Sequence, residues 1–233
     1  YALGPFPTFE MLRQRPGQAT AVYCREDFHD LEKLRALCAA QGVACLVWPR
    51  ALERITQKEV CYAAGEFTKY GGSLRAYAPH VALVEPADMG NLGTIMRTLL
   101  AFGIRDMAVI GGGADLWNPK VVRASMGAVF HLEIEHFVDF PAYLAAHGQG
   151  RDIFPFMLDG GRVLTPDSCP QSPRYTLVFG NEAAGLPPAY QAYGQSLLIP
   201  QSSAVDSLNL AVSVALGAFL FTQRNPLPPC GGV

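Results

Sequence analysis

The sequence predicts an α/β protein built on a parallel β-sheet, with a smaller α/β domain in front of it. Short apolar runs typical of strands alternate with amphipathic runs typical of helices. Half of the 233 residues are hydrophobic and 16% are charged, which allows a sizeable core and disfavours disorder. Polar residues follow three of the apolar runs, at turns between a strand and a helix. Ligands bind at the carboxyl ends of parallel strands, so these turns predict one shared site.

Residues 1–76 are predicted to form the smaller domain, because strand and helix patterns alternate there too. Its predicted helices cover 7–15, 27–41 and 52–64, and its predicted strands cover 19–24 and 43–48. The middle helix has one apolar face, formed by Phe28, Leu31, Leu34 and Leu37. The sequence Tyr70-Gly71-Gly72-Ser73 then predicts a hinge that leads into an extended linker.

Residues 77–225 are predicted to form the larger domain, which carries the parallel sheet. Its predicted strands cover 81–84, 107–110, 132–134, 153–158, 176–179 and 197–199, and its predicted helices cover 92–102, 119–126, 140–146 and 207–222. The last helix has apolar residues at three- and four-residue steps, which predict a buried face of Leu208, Val212, Ala215, Leu216 and Phe219. Residues 226–233 are predicted to be a flexible tail.

Charge and cysteine content exclude several classes of protein. The net charge of −2 argues against wholesale electrostatic binding to nucleic acid, although a local basic patch stays possible. Residues 1–76 carry ten Lys/Arg and eight Asp/Glu, so this domain is the better candidate for an anionic partner. The six cysteines form no CxxC pair and no metal spacing with the five histidines, which predicts reduced cytosolic thiols and no metal site. Because no apolar run reaches 18 residues, no membrane contact is expected.

The first polar turn runs from Glu85 to Arg97 and opens a helix. Asn91 is a natural helix cap, and Arg97 follows it by about one and a half turns. The surrounding helix is mostly apolar, so an arginine there needs a partner or a cavity to occupy. By itself, this stretch is equally well explained as a capped helix with a surface arginine.

The second and third turns cover 179–187 and 200–209. In the second, two glycines allow a tight turn and a close approach to a ligand, and Glu182 lies between them as a contact for an arginine or a ligand. A glycine-rich turn with a solvated glutamate is the simpler alternative. In the third, Ser207 lies where a helix N-cap belongs. The chain lacks a GxSxG elbow and a dinucleotide fingerprint, which disfavours a serine hydrolase and a nicotinamide oxidoreductase.

Together the three turns resemble the three motifs of the TrmH (SpoU) family of SPOUT RNA 2′-O-ribose methyltransferases. The resemblance covers residues 81–222: Glu85 to Gly103 is similar to motif one, 177–186 to motif two, and Ile199-Pro200 with Ser207-Leu208-Asn209 to motif three. Residues 1–76 resemble, by pattern and position, the L30e-like RNA-binding domain often fused in front. Gln201 and Ser203 depart from motif three, where the family commonly has Met and Gly.

The resemblance implies a SPOUT fold whose C-terminal segment passes through a loop as a trefoil knot, and a homodimer packed through the knotted region. It implies that S-adenosylmethionine binds bent in the knot, held by the backbones of Gly180, Ile199 and Leu208. The implied reaction is cytoplasmic transfer of a methyl group to a ribose 2′-hydroxyl of ribosomal or transfer RNA, without a metal.

For this reaction the resemblance implies roles for five side chains. Arg97 would position a phosphate of the RNA and stabilise developing negative charge. Proton removal by Arg97 is more demanding, because free guanidinium stays protonated to above about pH 12. Asn91 and Asn209 would fix Arg97 and the ribose, Glu182 would orient Arg97 or close the cofactor loop, and Ser207 would contact the substrate, also across subunits. Two alternatives stay open: a SPOUT-fold RNA-binding protein without catalysis, and a SPOUT enzyme that methylates an RNA base.

Overall fold

A computed structural model describes residues 1–56, 60–159 and 161–227. The chain divides into two compact units, one of Tyr1–Tyr70 with Asp115–His131 and one of Gly71–Ala114 with Leu132–Val233. The described strands are β1 (Ala2–Leu3), β2 (Ala19–Cys24), β3 (Ala44–Val47), β4 (Ala63–Phe67), β5 (His80–Val84), β6 (Asp106–Ile110), β7 (Glu133–Phe137), β8 (Asp152–Pro155), β9 (Arg162–Val163), β10 (Tyr175–Phe179) and β11 (Leu197–Leu198). The described α-helices are α1 (Pro5–Gln14), α2 (Leu31–Ala40), α3 (Pro49–Thr56), α4 (Met89–Ala101), α5 (Pro119–Ala124), α6 (Phe140–His147) and α7 (Leu210–Arg224).

The first unit is built on a mixed sheet in the order β1-β4-β2-β3, in which only the β2–β3 pair is parallel. The helices predicted at 7–15 and 27–41 are confirmed as α1 and α2. The helix predicted over 52–64 is wrong at its C-terminal end, because α3 stops at Thr56 and Ala63 begins β4; residues 57–59 lie outside the described residues. Helix α1 packs closely on this strand, since a Cβ on Gly65 would lie 2.5 Å from Met11 Cε and would require that side chain to shift.

Residues 115–131 belong to the first unit, whereas the sequence pattern placed them in a continuous larger domain of 77–225. Three kinds of contact attach them. The ring of Phe130 packs edge-on against Phe67 with centroids 5.2 Å apart, and the Arg15 Nε donates a 3.0 Å hydrogen bond to the Phe130 carbonyl oxygen. Lys69 Nζ and Asp115 Oδ2 form a 2.7 Å ion pair. Contacts between residues so far apart in sequence depend on the tertiary structure, and local periodicity does not predict them.

The second unit carries the predicted parallel sheet, in the order β7-β6-β5-β10-β8 with all neighbours parallel. Every residue of β5, β6 and β10 is buried, as expected for strands covered on both faces. All six strands predicted for this region are present. Strands β9 and β11 form a separate parallel pair. Leu197 of β11 also forms an isolated parallel bridge with Phe156, which follows β8 in the chain.

A buried polar network closes the amino end of this sheet. Arg151 is 6% exposed, and its guanidinium donates to the carbonyl oxygens of Ala76, Ala78 and Tyr175 at 2.7, 2.9 and 2.7 Å. His80 is fully buried, with Nδ1 2.9 Å from the Tyr143 hydroxyl and Nε2 2.9 Å from the Arg75 carbonyl oxygen. Burial, with the Arg151 charge as a second cause, lowers the pKa of His80 to about 3. His80 is therefore a neutral hydrogen-bonding group at physiological pH.

Helix α7 buries a different face from the one that its periodicity predicts. Its buried residues are Leu210, Ala211, Val214, Gly217, Ala218 and Phe221. Val212, Leu216 and Phe219, predicted to be buried, are 46%, 39% and 46% exposed in the single chain. The pattern was ambiguous because α7 is apolar nearly all round, which is typical of a helix covered on more than one side.

Among the residues that the structure describes, none of the helices has both the length and the apolar character that crossing a bilayer requires.

Because folding holds His80 neutral, the stability of the second unit should depend on pH. The pKa of His80 is 6.5 in the unfolded chain and about 3 in the folded chain. Below pH 6.5 the unfolded chain therefore binds this proton and the folded chain does not, so stability falls as the pH falls. Between pH 7 and pH 5, we expect the wild-type chain to lose about 2 kcal/mol more unfolding free energy than His80→Gln, which cannot titrate. Urea denaturation at both pH values measures this difference. An equal loss in the two proteins would contradict the assignment.

Candidate active site

The three polar turns meet at the carboxyl edge of the parallel sheet. The first leaves β5 at Glu85, the second leaves β10 at Gly180, and the third leads into α7. Hydrogen bonds join the turns even though they are separated by about a hundred residues in sequence. The convergence predicted from the sequence is therefore present.

The Glu182 carboxylate is the centre of this junction. Its Oε2 accepts a hydrogen bond from the Ala87 N–H at 2.9 Å, and its Oε1 accepts one from the Asp88 N–H at 3.0 Å. Oε1 also lies 3.4 Å from the donating Nδ2 of Asn91. Burial raises the pKa of Glu182, but the hydrogen bonds that the carboxylate accepts, those from Ala87 and Asp88 first among them, together leave the pKa below its ordinary value. The carboxylate is thus ionised and ties the second turn to the first.

Two asparagines extend the junction to the third turn. The Asn209 Nδ2 donates to Asn91 Oδ1 at 2.9 Å, so an amide chain runs from Glu182 through Asn91 to Asn209. The Asn209 Oδ1 accepts from the Ala211 N–H at 2.9 Å and caps α7. The predicted caps were wrong: Asn209, not Ser207, caps α7, and Asp88 caps α4 by accepting from the Asn91 N–H. The amide of Asn91 is consequently free to join the network.

Sequence reasoning missed Asn181 and the special backbone of Glu85. The Asn181 Nδ2 donates to the Glu85 carbonyl oxygen at 2.8 Å, and its Oδ1 accepts from the Ala183 and Ala184 N–H groups. Glu85 has a φ of 49°, a left-handed conformation that is uncommon for a residue with a side chain. The turn-forming habit of Asn beside Gly180 was the available signal. Strain of this kind is typical of functional turns.

A cavity of about 280 Å³ opens beside the junction. The rings of Phe156 and Phe179 are stacked with centroids 4.3 Å apart, and both residues line it. Of the predicted site residues, those that line it are Gly180, Glu182, Ile199, Ser207 and Leu208. Its charged lining residues are Glu182 and Asp206, so the described lining is acidic and suits a ligand with a positive charge. Within the described ranges, no three His, Cys, Asp or Glu side chains are grouped to hold a metal ion.

Gly180 is required by the turn itself. A Cβ on Gly180 would lie 2.1 Å from the carbonyl carbon of Gly185, because the loop folds back and pairs Asn181 with Gly185. Gly185 has a φ of +68°, which favours glycine. The two glycines thus shape the wall of the cavity through a contact with each other.

Arg97 lies outside this cavity in the single chain. It is exposed on α4, whose buried residues are Leu92, Gly93, Ile95, Met96 and Leu99. Its side chain makes no hydrogen bond or ion pair with any residue that the structure describes. Within one chain this arginine therefore has neither the partner nor the cavity that the apolar helix predicts, and its role stays a prediction. Gln201 lines the cavity, whereas Ser203 is exposed and does not.

Fold and site together define an α/β enzyme of the SPOUT methyltransferase type, with its cavity at the carboxyl edge of a parallel sheet. The chain belongs to the SpoU rRNA Methylase family, which matches residues 78–219. This match contains all three polar turns.

Individual relatives agree with this membership. The chain is 34% identical over 180 residues to the 23S rRNA (guanosine(2553)-2′-O)-methyltransferase RlmP of Bacillus subtilis, covering 75% of this chain and 71% of the relative. It is 30% identical to the 23S rRNA (adenosine(1067)-2′-O)-methyltransferase of Streptomyces laurentii, covering 61% of this chain and 53% of the relative. The AdoMet-bound rRNA methyltransferase of Sinorhizobium meliloti superposes with a TM-score of 0.81 at 26% identity, covering 97% of this chain and 87% of that one.

The two functions of Asn209, capping and linking, can be separated by mutation. Asn209→Ala removes the cap of α7, so we expect it to lower the free energy of unfolding by about 1 kcal/mol. Asn209→Asp keeps the cap oxygen and loses the donor to Asn91, so we expect it to be more stable than Asn209→Ala and less stable than wild type. Urea denaturation of the three proteins checks this. Equal stability of the alanine and wild-type chains would contradict the cap.

Proposed function

We propose that this chain is an S-adenosylmethionine-dependent enzyme that transfers a methyl group to a ribose 2′-hydroxyl of ribosomal RNA, with transfer RNA as the alternative substrate. The observation that carries the proposal is the junction of the three family turns around one acidic, partly aromatic cavity. Family membership supplies the reaction class, and the named relatives act on ribosomal RNA.

The cavity fits S-adenosylmethionine by chemistry. The lining side chains of Phe156, Phe179 and Leu208 offer apolar surface for a flat ring, and backbone groups of the turns can recognise its polar edge. Glu182 and Asp206 favour the positive charge of the cofactor. We assign the backbones of Gly180, Ile199 and Leu208 to its binding. When bound, the cofactor supplies a methyl group activated by a cationic sulfur.

The chain's own residues divide into positioning groups and substrate groups. Glu182, Asn91 and Asn209 are positioning residues in this proposal, because their polar atoms hold one another and the turns. Arg97 has a guanidinium with no partner among the described residues, so it can bind a phosphate of the RNA and stabilise charge on the attacking oxygen. Ser207 lines the cavity and is exposed, so it can donate to the substrate.

Loss of Arg97 should stop methyl transfer without weakening cofactor binding. With tritiated S-adenosylmethionine and bulk ribosomal RNA, we expect the wild-type chain to label the RNA and Arg97→Ala to label it at least about a hundredfold more slowly. Calorimetry should give equal cofactor affinities, since Arg97 does not line the cavity. Unchanged turnover in Arg97→Ala would remove this residue from the mechanism.

Leu208→Arg is the opposite variant: Leu208 lines the cavity, so a bulky positive charge there should weaken binding of the cationic cofactor. The labelled nucleotide identifies the reaction, since a 2′-O-methyl group blocks alkaline cleavage at that position. Labelled RNA that alkali still cleaves there would favour base methylation. RNA binding without any label would favour a SPOUT protein that no longer catalyses.

We also propose that the C-terminal segment is threaded as a trefoil knot. Three backbone hydrogen bonds support this, because the segment before Pro200 is held by two separate stretches of chain. The Met157 N–H donates to the Leu197 carbonyl oxygen, while the Arg162 and Leu164 N–H groups donate to those of Ser196 and Leu198. Helix α7 follows this segment in the chain.

A homodimer is the second structural proposal, and the exposed face of α7 supports it. Val212, Leu216 and Phe219 lie at helical spacing and form an apolar stripe on one face. Phe102 enlarges this patch, since its ring centroid lies 5.9 Å from that of Phe219. A second copy of the chain would cover the stripe and bring another Ser207 and Arg97 near the site.

A charge in the α7 stripe should prevent this association. We expect wild-type chain to be dimeric at micromolar concentration and Phe219→Glu to be monomeric, because a buried unpaired carboxylate opposes the interface. Size-exclusion chromatography with light scattering measures the mass. Val138→Glu is the control, since Val138 is 82% exposed and lies outside α7. A monomeric wild type, or a dimeric Phe219→Glu, would contradict the proposal.

We assign RNA binding to the first unit and a cytoplasmic location to the protein. Trp48 and Tyr62 are 50% and 41% exposed, and the Arg25 guanidinium lies 5.7 Å from the Tyr62 ring centroid. Exposed rings beside cations suit unpaired bases.

The cytoplasmic location rests on the cysteines. The described cysteines, namely Cys24, Cys38, Cys45, Cys61 and Cys169, are free thiols, as expected in a reducing compartment.

A further inference from the structure

A second, larger cleft lies at the opposite end of the parallel sheet from the cavity. It has a volume of about 1020 Å³ and is lined by residues at the amino ends of β5 and β10, by the α4–β6 turn and by the end of α7. We call it the amino-end cleft; its lining residues are 75–79, 103, 105, 171–173, 175 and 224–227. A strand of five residues spans about 17 Å, so the two sites are separated by the length of the sheet.

The amino-end cleft is positively charged. Arg75, Arg105 and Arg224 line it, and no described Asp or Glu does. Arg75 is already committed, since its Nε donates to Oδ2 of the buried Asp106 at 3.0 Å. Arg105 and Arg224 form no ion pair with any residue that the structure describes. The cleft therefore has two guanidinium groups available to an anion.

Buried donors without acceptors occur in the lining of this cleft and next to it. Arg105 Nε, Arg174 Nε and the Tyr175 hydroxyl are buried and have no hydrogen-bond partner in the described part of the chain. Such groups are nearly always satisfied in folded proteins. Burial also raises the pKa of Tyr175, so its hydroxyl keeps its proton and can donate. Arg105 and Tyr175 line the cleft, so two of these three donors belong to its lining residues.

An aromatic ring stands beside these donors. Tyr77 lines the cleft and is 84% exposed, and the Arg174 guanidinium lies 5.3 Å from its ring centroid. A base can stack on such a ring while neighbouring arginines hold the phosphates. Free inorganic phosphate would use the arginines but not the ring. The combination therefore favours a polynucleotide.

We propose that the amino-end cleft binds phosphate groups of the substrate RNA, with Arg105 and Arg224 as the phosphate ligands and Tyr77 as a stacking platform. This inference rests on the proposed function, because it takes the methylated RNA as the ligand. It gives each chain a further RNA contact, in addition to Arg97 and the first unit, at the end of the sheet remote from the reacting atoms. The cleft thus contributes to RNA affinity and not to the chemical step.

The test uses the full chain and a fluorescein-labelled ribosomal RNA transcript that the wild type methylates. We expect Arg224→Ala and Arg105→Ala each to weaken RNA binding by about tenfold in fluorescence anisotropy, because each loses one charge-assisted contact. The slope of log affinity against log salt should become shallower by roughly 0.7–0.9 for each variant. KM for RNA should rise while kcat and the calorimetric affinity for S-adenosylmethionine stay unchanged.

Matched variants separate a specific contact from general charge. Arg162→Ala removes the same charge from an exposed residue that does not line the cleft, so its RNA affinity should stay within about twofold of wild type. Tyr77→Phe should bind RNA normally and Tyr77→Ala more weakly, since stacking needs the ring alone. Arg105 is half-buried, so Arg105→Ala could fail to fold. Arg224 is exposed at the end of α7, so Arg224→Ala tests the proposal even if Arg105→Ala does not fold.

Unchanged RNA affinity and salt slope in both arginine variants would overturn the proposal. A fall in kcat with unchanged KM would also overturn it, because the cleft would then act on the chemical step. Occupancy of the cleft by residues 228–233 would appear as lower thermal stability after their removal, together with arginine variants that bind RNA normally. If the wild-type chain methylates no RNA, the proposed function fails instead, and anisotropy with a fluorescein-labelled ribosomal RNA transcript chosen without regard to methylation still tests the cleft.

Discussion

The arrangement of the site depends on the hydrogen bonds that the Glu182 carboxylate accepts. The carboxylate accepts from the Ala87 and Asp88 N–H groups at the start of α4, where the helix dipole favours a negative charge. Asn91 then carries the connection to Asn209 and to the start of α7. A hydrogen-bonded carboxylate can hold three turns in register without filling the cavity beside them. Its removal would leave the Ala87 and Asp88 N–H groups without this acceptor.

The helices impose the second constraint, because α7 has more apolar surface than one chain can cover. Its buried face packs closely: a Cβ on Gly217 would lie 2.8 Å from the Phe156 ring. The opposite stripe of Val212, Leu216 and Phe219 remains exposed. A helix that is apolar on both sides is expected where two surfaces meet. The same helix therefore connects the cavity wall to the proposed subunit interface.

The sequence predicted well that strands and helices alternate along the chain, but it predicted poorly which of these segments pack together. Strands β5, β6 and β10 are short, fully apolar and bounded by turn residues, so their identity was local information. The first two residues of β4 were predicted as helix because Ala63 and Ala64 favour a helix in isolation, whereas α1 packs against the strand at Gly65. Residues 115–131 were assigned to the wrong unit because their contacts with Phe67 and Lys69 are remote in sequence.

The sequence by itself determined the parallel α/β class, the three turns and the residue types that they bring to one edge. Those follow from local patterns, since apolar runs, glycines and caps act over a few residues. Only the tertiary structure decided that Glu182 contacts backbone N–H groups and not Arg97, that Asn209 caps α7, and that donors lie unsatisfied at the far end of the sheet. These depend on which segments become neighbours, and hydrogen bonds of about 3 Å are set by that packing alone.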